Sequence, residues 1–185
     1  MPNKEEKFNE LWGGIIDPKI KSYSTESEIW EEFPVDIGTF IDSPDFLDWK
    51  KNIYYGVRKN LENIFVFDKN YDLKYNHAII IESPGTGKSE FSAIASMYMV
   101  YRMLCMRNPQ RFYGIAPGSR IQIVNCSSSG TQAKKVVFDY AKSKADSMKW
   151  LKDREYLPNP RVESELQFPK GIYITPGSSD RKSVV

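Results

Sequence analysis

The residues with the clearest chemical meaning lie in the stretch 83–90, Ser-Pro-Gly-Thr-Gly-Lys-Ser-Glu. Gly85 and Gly87 would let the backbone come close to a ligand, and consecutive backbone N–H groups at a helix start bind phosphate oxygens. Lys88 would bring a positive charge to the β- and γ-phosphates, and the Ser89 hydroxyl would ligate Mg²⁺. We therefore predict a nucleotide-phosphate site made of Ser83, Pro84, Gly85, Thr86, Gly87, Lys88, Ser89 and Glu90.

The context of this loop separates it from a chance occurrence of Gly-Lys-Ser. Glu82 stands where the general pattern GxxxxGK[ST] has its first glycine, so the match departs at one position. The alternative is an ordinary turn that happens to precede a helix. An apolar run directly before the loop and a long amphipathic run directly after it favour phosphate binding over that alternative.

Hydrophobic periodicity predicts the elements that position the loop. Before it, residues 42–65 show helical spacing, with Ser43 as a plausible N-cap and Pro44 at the first helical position. Residues 77–83 form a short β-branched run that is typical of a strand buried in a parallel sheet. A helix is expected from about Lys88 to Met106, before the stop signal Asn108-Pro109.

The second half of the chain continues the alternation of strands and helices. Residues 119–128 read as a strand, residues 130–150 as a helix, and residues 163–179 as a hairpin around a Pro-Lys-Gly turn. The order strand, loop, helix, strand, helix, hairpin predicts an α/β fold with a parallel core.

The composition is typical of a globular protein and argues against membrane-spanning and histidine-dependent classes. The chain has 185 residues, of which 41% are hydrophobic and 27% charged, as in one globular domain. No apolar run reaches the about 18 residues that a membrane span needs, so no membrane partner is expected. The single histidine, His77, argues against a histidine metal site or a Ser-His triad. A net charge of +2 neither requires nor excludes a nucleic-acid partner.

The order and spacing of several segments together resemble the N-terminal ATPase half of the tailed-phage terminase large subunit. These segments are FPVDIGTFIDSPDFLDWKKNIYYGVRKNLENIF, PGTGKS, FYGIAPGSRIQIVNCSSSGTQAKKVVFDY and LQFPKGIYITPGSSDRKS, and the resemblance covers about residues 33–183. It implies a P-loop NTPase fold of the RecA/ASCE-like type, in which helices flank a mainly parallel central sheet, incomplete at this length. The division that follows is an N-terminal arm and short helix over 1–34 and a partial ATPase domain over 35–185.

The resemblance also implies an activity and partners. Terminase large subunits use ATP and Mg²⁺ to move double-stranded DNA into a prohead, as homo-oligomers that work with a portal protein and a small terminase subunit in the host cytoplasm. By this resemblance the catalytic residues are Lys88 and Arg181, where Arg181 matches an arginine that reaches the γ-phosphate of a neighbouring subunit. A solvated basic loop is the alternative for Arg181. Gly56 and Val57 stand where the family often has an adenine-reading glutamine, and Pro84 where many relatives have an arginine.

One expected motif is missing from the sequence. An ATPase of this class needs an apolar strand that ends in Asp-Glu, to hold Mg²⁺ and activate water, and no such pair follows an apolar run here. The resemblance also implies a C-terminal nuclease half, which we expect to lie outside this sequence. We therefore expect a fragment that binds nucleotide with little or no turnover. The alternatives are a helicase or AAA-type ATPase, and an assembly module that uses its phosphate loop without turnover.

Overall fold

The computed structural model describes residues 26–69, 71–75, 77–81, 83, 85–127 and 138–178. The helices are α1 (Glu26–Ile29), α2 (Ile37–Asp42), α3 (Tyr55–Ile64), α4 (Lys88–Cys105), α5 (Pro109–Phe112), α6 (Asp139–Ser147) and α7 (Lys149–Asp153). The strands are β1 (Ile121–Ser127), β2 (Leu166–Phe168) and β3 (Ile172–Ser178), and a short 3₁₀ turn, Pro169–Gly171, joins β2 to β3. Within these ranges, no helix is long and apolar enough to cross a membrane.

Helix α4 contributes more buried side chains than any other described helix or strand, and it begins where the phosphate loop ends. Its observed bounds, Lys88–Cys105, differ by one residue from those expected. Apolar side chains cover most of its circumference, a pattern that is typical of a helix packed on several sides. The side chains that are almost completely buried include Ala93, Ile94, Met97, Tyr98, Val100, Tyr101 and Leu104.

An aromatic cluster packs α2 and α7 against α4. The Tyr101 ring centroid lies 5.2 Å from that of Phe40 and 4.9 Å from that of Trp150, both at distances typical of favourable ring pairs. The two tyrosine hydroxyls of α4 fix the segment before α2: Tyr98 Oη donates to Val35 O at 2.8 Å, and Val35 N donates to Tyr101 Oη at 2.9 Å. Burial raises the pKa of Tyr98 to about 12, so this hydroxyl stays a donor at neutral pH.

The described strands form one three-stranded sheet in the order β1-β3-β2. β1 and β3 are parallel, with Ile121 opposite Ile172, whereas β2 and β3 are antiparallel, with Phe168 opposite Ile172. The sequence-based strand at 119–128 and the hairpin are therefore confirmed. The sheet contains one parallel and one antiparallel pair, so a mainly parallel sheet and the RecA/ASCE-like type stay predictions.

The helix expected over 42–65 is wrong in its first half. Ser43 is the C-cap of α2, the chain then turns, and a helix begins only at Tyr55. Asp48 has φ +50°, a backbone conformation that a right-handed helix does not contain. Phe46, whose spacing suggested a helical face, is buried by packing in the turn instead.

The buried strand expected over 77–83 is also absent from the residues described there, 77–81 and 83, which carry no strand assignment. The side chains of Ile79 and Ile81 are 89% and 93% exposed. A strand needs a neighbour for its backbone hydrogen bonds and a layer to cover its faces. Among the described residues no backbone hydrogen bond joins 77–81 to another segment, and β-propensity alone does not replace these partners.

The helix expected over 130–150 is only partly observed. Residues 128–137 lie outside the described residues, and the described part divides into α6 and α7. The division falls at Met148, which has an extended ψ of 115° and a fully buried side chain. Burial of this methionine at a bend brings α7, with Trp150, against the aromatic cluster. Helix α6 packs beside the first turns of α4, next to the phosphate loop.

Candidate nucleotide-binding site

The loop before α4 has the backbone conformation that its glycines predict. Gly85 and Gly87 have φ values of +83° and +91°, in the region that residues with a Cβ atom rarely adopt. Gly87 is the residue directly before α4, so no capping side chain takes up the first N–H groups of this helix. These N–H groups and the positive end of the helix dipole are what a phosphate group binds.

Two side chains of the loop donate to the same carbonyl oxygen. Thr86 Oγ1 donates to Ser83 O at 2.8 Å, and Lys88 Nζ donates to Ser83 O at 2.6 Å. The ammonium group of Lys88 is therefore held over the curled loop, although the side chain itself is exposed. An anion that enters the loop would find this positive charge already in place.

One cavity brings these residues together. Its volume is about 310 Å³, at the lower end of the range of small-molecule sites, about 300–1,000 Å³. The loop and the first turn of α4 form one side of it, and two tyrosines on other elements complete the wall. The lining residues are Tyr54, Gly85, Gly87, Lys88, Ser89, Glu90 and Tyr140.

The two tyrosines were not identified as site residues from the sequence. Tyr54 precedes α3 and is 63% exposed, and Tyr140 lies in the first turn of α6 and is 47% exposed. A Cβ atom added to Gly87 would lie 3.2 Å from the Tyr54 ring and 2.8 Å from a Val57 methyl group. The tyrosines are separated from the loop by about thirty and about fifty residues of sequence, so only the tertiary packing could reveal them.

Glu90 lines the cavity but is also engaged in an ion pair. One of its carboxylate oxygens lies 2.5 Å from Lys144 Nζ, and the two side chains are only 14% and 8% exposed. Lys144 Nζ also lies 3.6 Å from the centre of the Trp49 ring. The contact between Glu90 Oε1 and Lys144 is an ion pair without hydrogen-bond geometry. This pair joins the first turn of α4 to α6, and Lys88 is the other charged residue among the described residues that line the cavity.

The donor set around the loop suits Mg²⁺ that arrives with a nucleotide. Ser89 lies half-buried in the same cavity as Lys88, and its hydroxyl is the group expected to ligate the metal. The described residues contain no group of three or more His, Cys, Asp and Glu side chains that could hold a metal ion without further ligands. Mg²⁺ usually keeps waters and phosphate oxygens as ligands, so a single hydroxyl is an adequate protein contribution.

Some of the expected site residues lie outside the described residues. These are Pro84 in the loop and Arg181 near the C-terminus, together with Glu82 at the position where the pattern has its first glycine. The role of Arg181 therefore stays a prediction. The described residues Ser83, Gly85, Thr86, Gly87, Lys88, Ser89 and Glu90 lie in the loop and the first turn of α4, and all but Ser83 and Thr86 line the cavity.

The chain belongs to a family of P-loop domains. Residues 12–184 match the family described as "Uncharacterized protein MJ0330, N-terminal P-loop domain". No curated protein and no solved structure matches the chain. A P-loop domain indicates nucleotide binding, in agreement with the geometry of the loop. The family description does not mention terminases. The match therefore supports a P-loop domain and does not test the resemblance to DNA-packaging motors.

Proposed function

We propose that this chain binds ATP with Mg²⁺ at the loop 83–90 and forms the nucleotide-binding domain of an ATP hydrolase. The observation that supports this proposal best is the cavity in which the positive-φ glycines, Lys88 and Ser89 face one space at the start of α4. An ordinary turn before a helix would not need two glycines with positive φ and a lysine folded back over the loop.

Each group has a separate task in this proposal. The backbone N–H groups from Gly85 to Ser89 bind the phosphate oxygens, and Lys88 neutralises the β- and γ-phosphates. Ser89 would ligate the Mg²⁺ ion that accompanies the nucleotide, and a bound Mg²⁺ ion would supply positive charge close to the phosphates. The exposed rings of Tyr54 and Tyr140 offer apolar faces to the nucleobase, beside the phosphate loop.

The finer role that we propose is ATP-driven movement of double-stranded DNA into a prohead. It rests on the resemblance to terminase large subunits and implies a homo-oligomer that works with a portal protein and a small terminase subunit. Arg181 would then act on the nucleotide of a neighbouring subunit. DNA-stimulated ATP turnover in a chain that also contains an acidic strand would support this role, and turnover that DNA leaves unchanged would contradict it.

The nucleotide proposal is tested by calorimetric titration of ATP with Mg²⁺ into the wild type and Lys88→Ala. A hydrogen bond to a charged group contributes about 1.5–3 kcal/mol, so we expect Lys88→Ala to raise the Kd about 10- to 100-fold. Lys142→Ala is the matched control, because Lys142 is exposed on α6 and does not line the cavity. Equal affinity in Lys88→Ala and the wild type would contradict the proposal.

The dependence of ATP binding on Mg²⁺ distinguishes an ATPase site from an assembly module that uses the phosphate loop without turnover. We expect chelation of Mg²⁺ to weaken ATP binding in the wild type and to have a smaller effect in Ser89→Ala, which lacks the hydroxyl ligand. Binding of ATP and ADP with the same affinity, with and without Mg²⁺, would favour the assembly module.

A further inference from the structure

A second cavity lies at the other end of α4, away from the phosphate loop. Its volume is about 490 Å³, and it opens between the end of α4, the segment 67–73 and α5. Four aromatic side chains form its walls, while Arg102 and Asp72 contribute the charges. The aromatic residues are Phe67, Tyr71, Phe112 and Tyr113. Arg102 follows Lys88 by 14 residues on α4, which corresponds to about 21 Å along a helix.

Arg102 is the unusual residue of this cavity, because it is charged and only 6% exposed. Its guanidinium carbon lies 3.3 Å from the centre of the Phe67 ring and 5.3 Å from that of Trp30. Arg102 Nη2 donates to Tyr71 O across a long distance of 3.5 Å. The Tyr98 hydroxyl is a further polar neighbour.

No carboxylate among the described residues forms an ion pair with Arg102. A buried charge without such a partner is costly, and a cation–π contact offsets only part of that cost. Burial accordingly lowers the pKa of the guanidinium. A guanidinium has five N–H donors, and Arg102 also lines the cavity, so donors remain for a group that enters it.

The charges of the lining define which anion fits. Arg102 is the one cation among the lining residues, and the Asp72 carboxylate lines the same cavity. A dianion such as phosphate would be repelled by Asp72 and only half neutralised by Arg102. A carboxylate carries a single charge and matches the planar fork of a guanidinium with two hydrogen bonds. The aromatic walls favour a flat, apolar body on the same ligand.

We propose that this cavity binds a small organic monocarboxylate with a flat apolar body, whose carboxylate group pairs with Arg102. The bound carboxylate supplies the partner that Arg102 lacks within the described residues. The body of the ligand lies among the aromatic side chains. This site is separate from the phosphate loop and is independent of the function proposed for that loop.

The test uses indole-3-acetate as the probe and indole-3-acetamide as its neutral counterpart, with the full chain and detection by NMR chemical-shift titration. We expect the acid to bind at least 10-fold more tightly than the amide. We expect Arg102→Met to remove this preference, because methionine keeps the packing but not the charge. Arg107→Met is the matched control, because Arg107 is an exposed arginine just after the end of α4 and does not line the cavity.

A second variant keeps the test decisive if Arg102→Met does not fold. Asp72→Asn removes the like charge, and we expect it to tighten binding of indole-3-acetate several-fold. Equal affinities for the acid and the amide, no binding of the acid, or unchanged binding in Arg102→Met would each overturn the proposal. Inorganic phosphate that binds as tightly as the acid, in a manner that depends on Arg102, would also overturn it.

Discussion

Gly87 connects the conformation of the phosphate loop to the packing of α3. Its φ of +91° directs the chain into α4, and its missing side chain allows Val57 and Tyr54 to come close to the loop. Gly85 has a similar φ of +83°, but a Cβ atom there would meet nothing within 4 Å. A substitution at Gly85 would therefore introduce backbone strain alone, whereas a substitution at Gly87 would introduce both backbone strain and a steric clash.

We predict that Gly87→Ala destabilises the fold more than Gly85→Ala. A left-handed conformation costs a residue with a Cβ atom about 1–2 kcal/mol, and both variants incur this cost. Gly87→Ala adds a contact of 2.8 Å with Val57, which must shift. Urea unfolding would measure the difference, which we expect to be at least about 1 kcal/mol. Equal free energies of unfolding in the two variants would contradict the close packing of α3 on the loop.

Tyr54 and Tyr55 form a natural pair for testing the wall of the nucleotide cavity. Tyr54 lines the cavity, whereas Tyr55 is 77% exposed and does not. Stacking of a base on an aromatic ring contributes about 1–3 kcal/mol, so we predict that Tyr54→Ala weakens ATP binding about 5- to 100-fold. Tyr54→Phe should keep the affinity, and Tyr55→Ala should not change it. The same loss in both alanine variants would show that Tyr54 has no special role.

At the scale of elements, an arginine fixes how α2 and α3 meet. Arg58 Nη1 and Nη2 donate to the two carboxylate oxygens of Asp42 at 2.5 and 3.0 Å, and Arg58 Nε donates to Glu62 at 2.8 Å. Asp42 ends α2 and Arg58 lies in α3, so the pair spans the turns that replace the expected helix. The hydrogen bonds from Arg58 lower the pKa of Asp42.

This pair predicts a pH dependence of stability. Because the pKa of Asp42 is lower in the folded than in the unfolded chain, its contribution is complete above the unfolded value of 3.8 and disappears as the pH falls through the folded value. We expect Asp42→Asn to cost about 1 kcal/mol at pH 7, and the difference from the wild type to vanish in strong acid. Denaturant unfolding at several pH values would measure it.

Asp45→Asn is the control for that experiment. Asp45 also forms an ion pair, with Lys149 at 3.2 Å, but these side chains are 57% and 63% exposed. Exposed pairs of this kind contribute little, so the variant should unfold as the wild type does. A loss at pH 7 that persists unchanged in acid would mean that Asp42→Asn acts through packing and not through the charge pair.

At the scale of the whole molecule, Lys170 joins segments that are far apart in the sequence. Its Nζ donates to Leu104 O and Met106 O at the end of α4, both at 2.7 Å, and to Glu31 Oε2, also at 2.7 Å. The last carbonyl groups of a helix lack partners within it and attract cations. Lys170 itself lies in the turn between β2 and β3, with φ +58°. The side chain of Lys170 therefore connects the sheet, the end of α4 and the segment that follows α1.

We predict that Lys170→Met lowers the free energy of unfolding by about 2 kcal/mol, because two carbonyl groups lose a charged donor. Lys152→Met removes the same charge from an exposed position in α7 and should cost less than about 0.5 kcal/mol. Chemical denaturation followed by tryptophan fluorescence would compare them. Equal, small losses would show that the end of α4 does not depend on this lysine.

Elements with local signals could be predicted from the sequence. Helix α4 has glycines at its start and apolar residues on most of its circumference, and the hairpin has its own turn residues, so both were predicted within a few residues. The loop residues were predicted for the same reason, since their meaning depends on neighbours in the chain. Arg102 and Lys144 gave no such signal, because only folding shows that their charges are buried.

The phosphate loop, the helix after it, the strand β1 and the hairpin could be predicted from sequence, because backbone preferences and periodicity act over a few residues. The folded chain was needed to show that Ser43 ends a helix, that Ile79 and Ile81 are exposed with no strand partner among the described residues, and that Tyr54 and Tyr140 border the loop. The physical reason is that burial, hydrogen-bond pairing and charge pairing depend on which distant segments meet. Local sequence patterns do not contain that information.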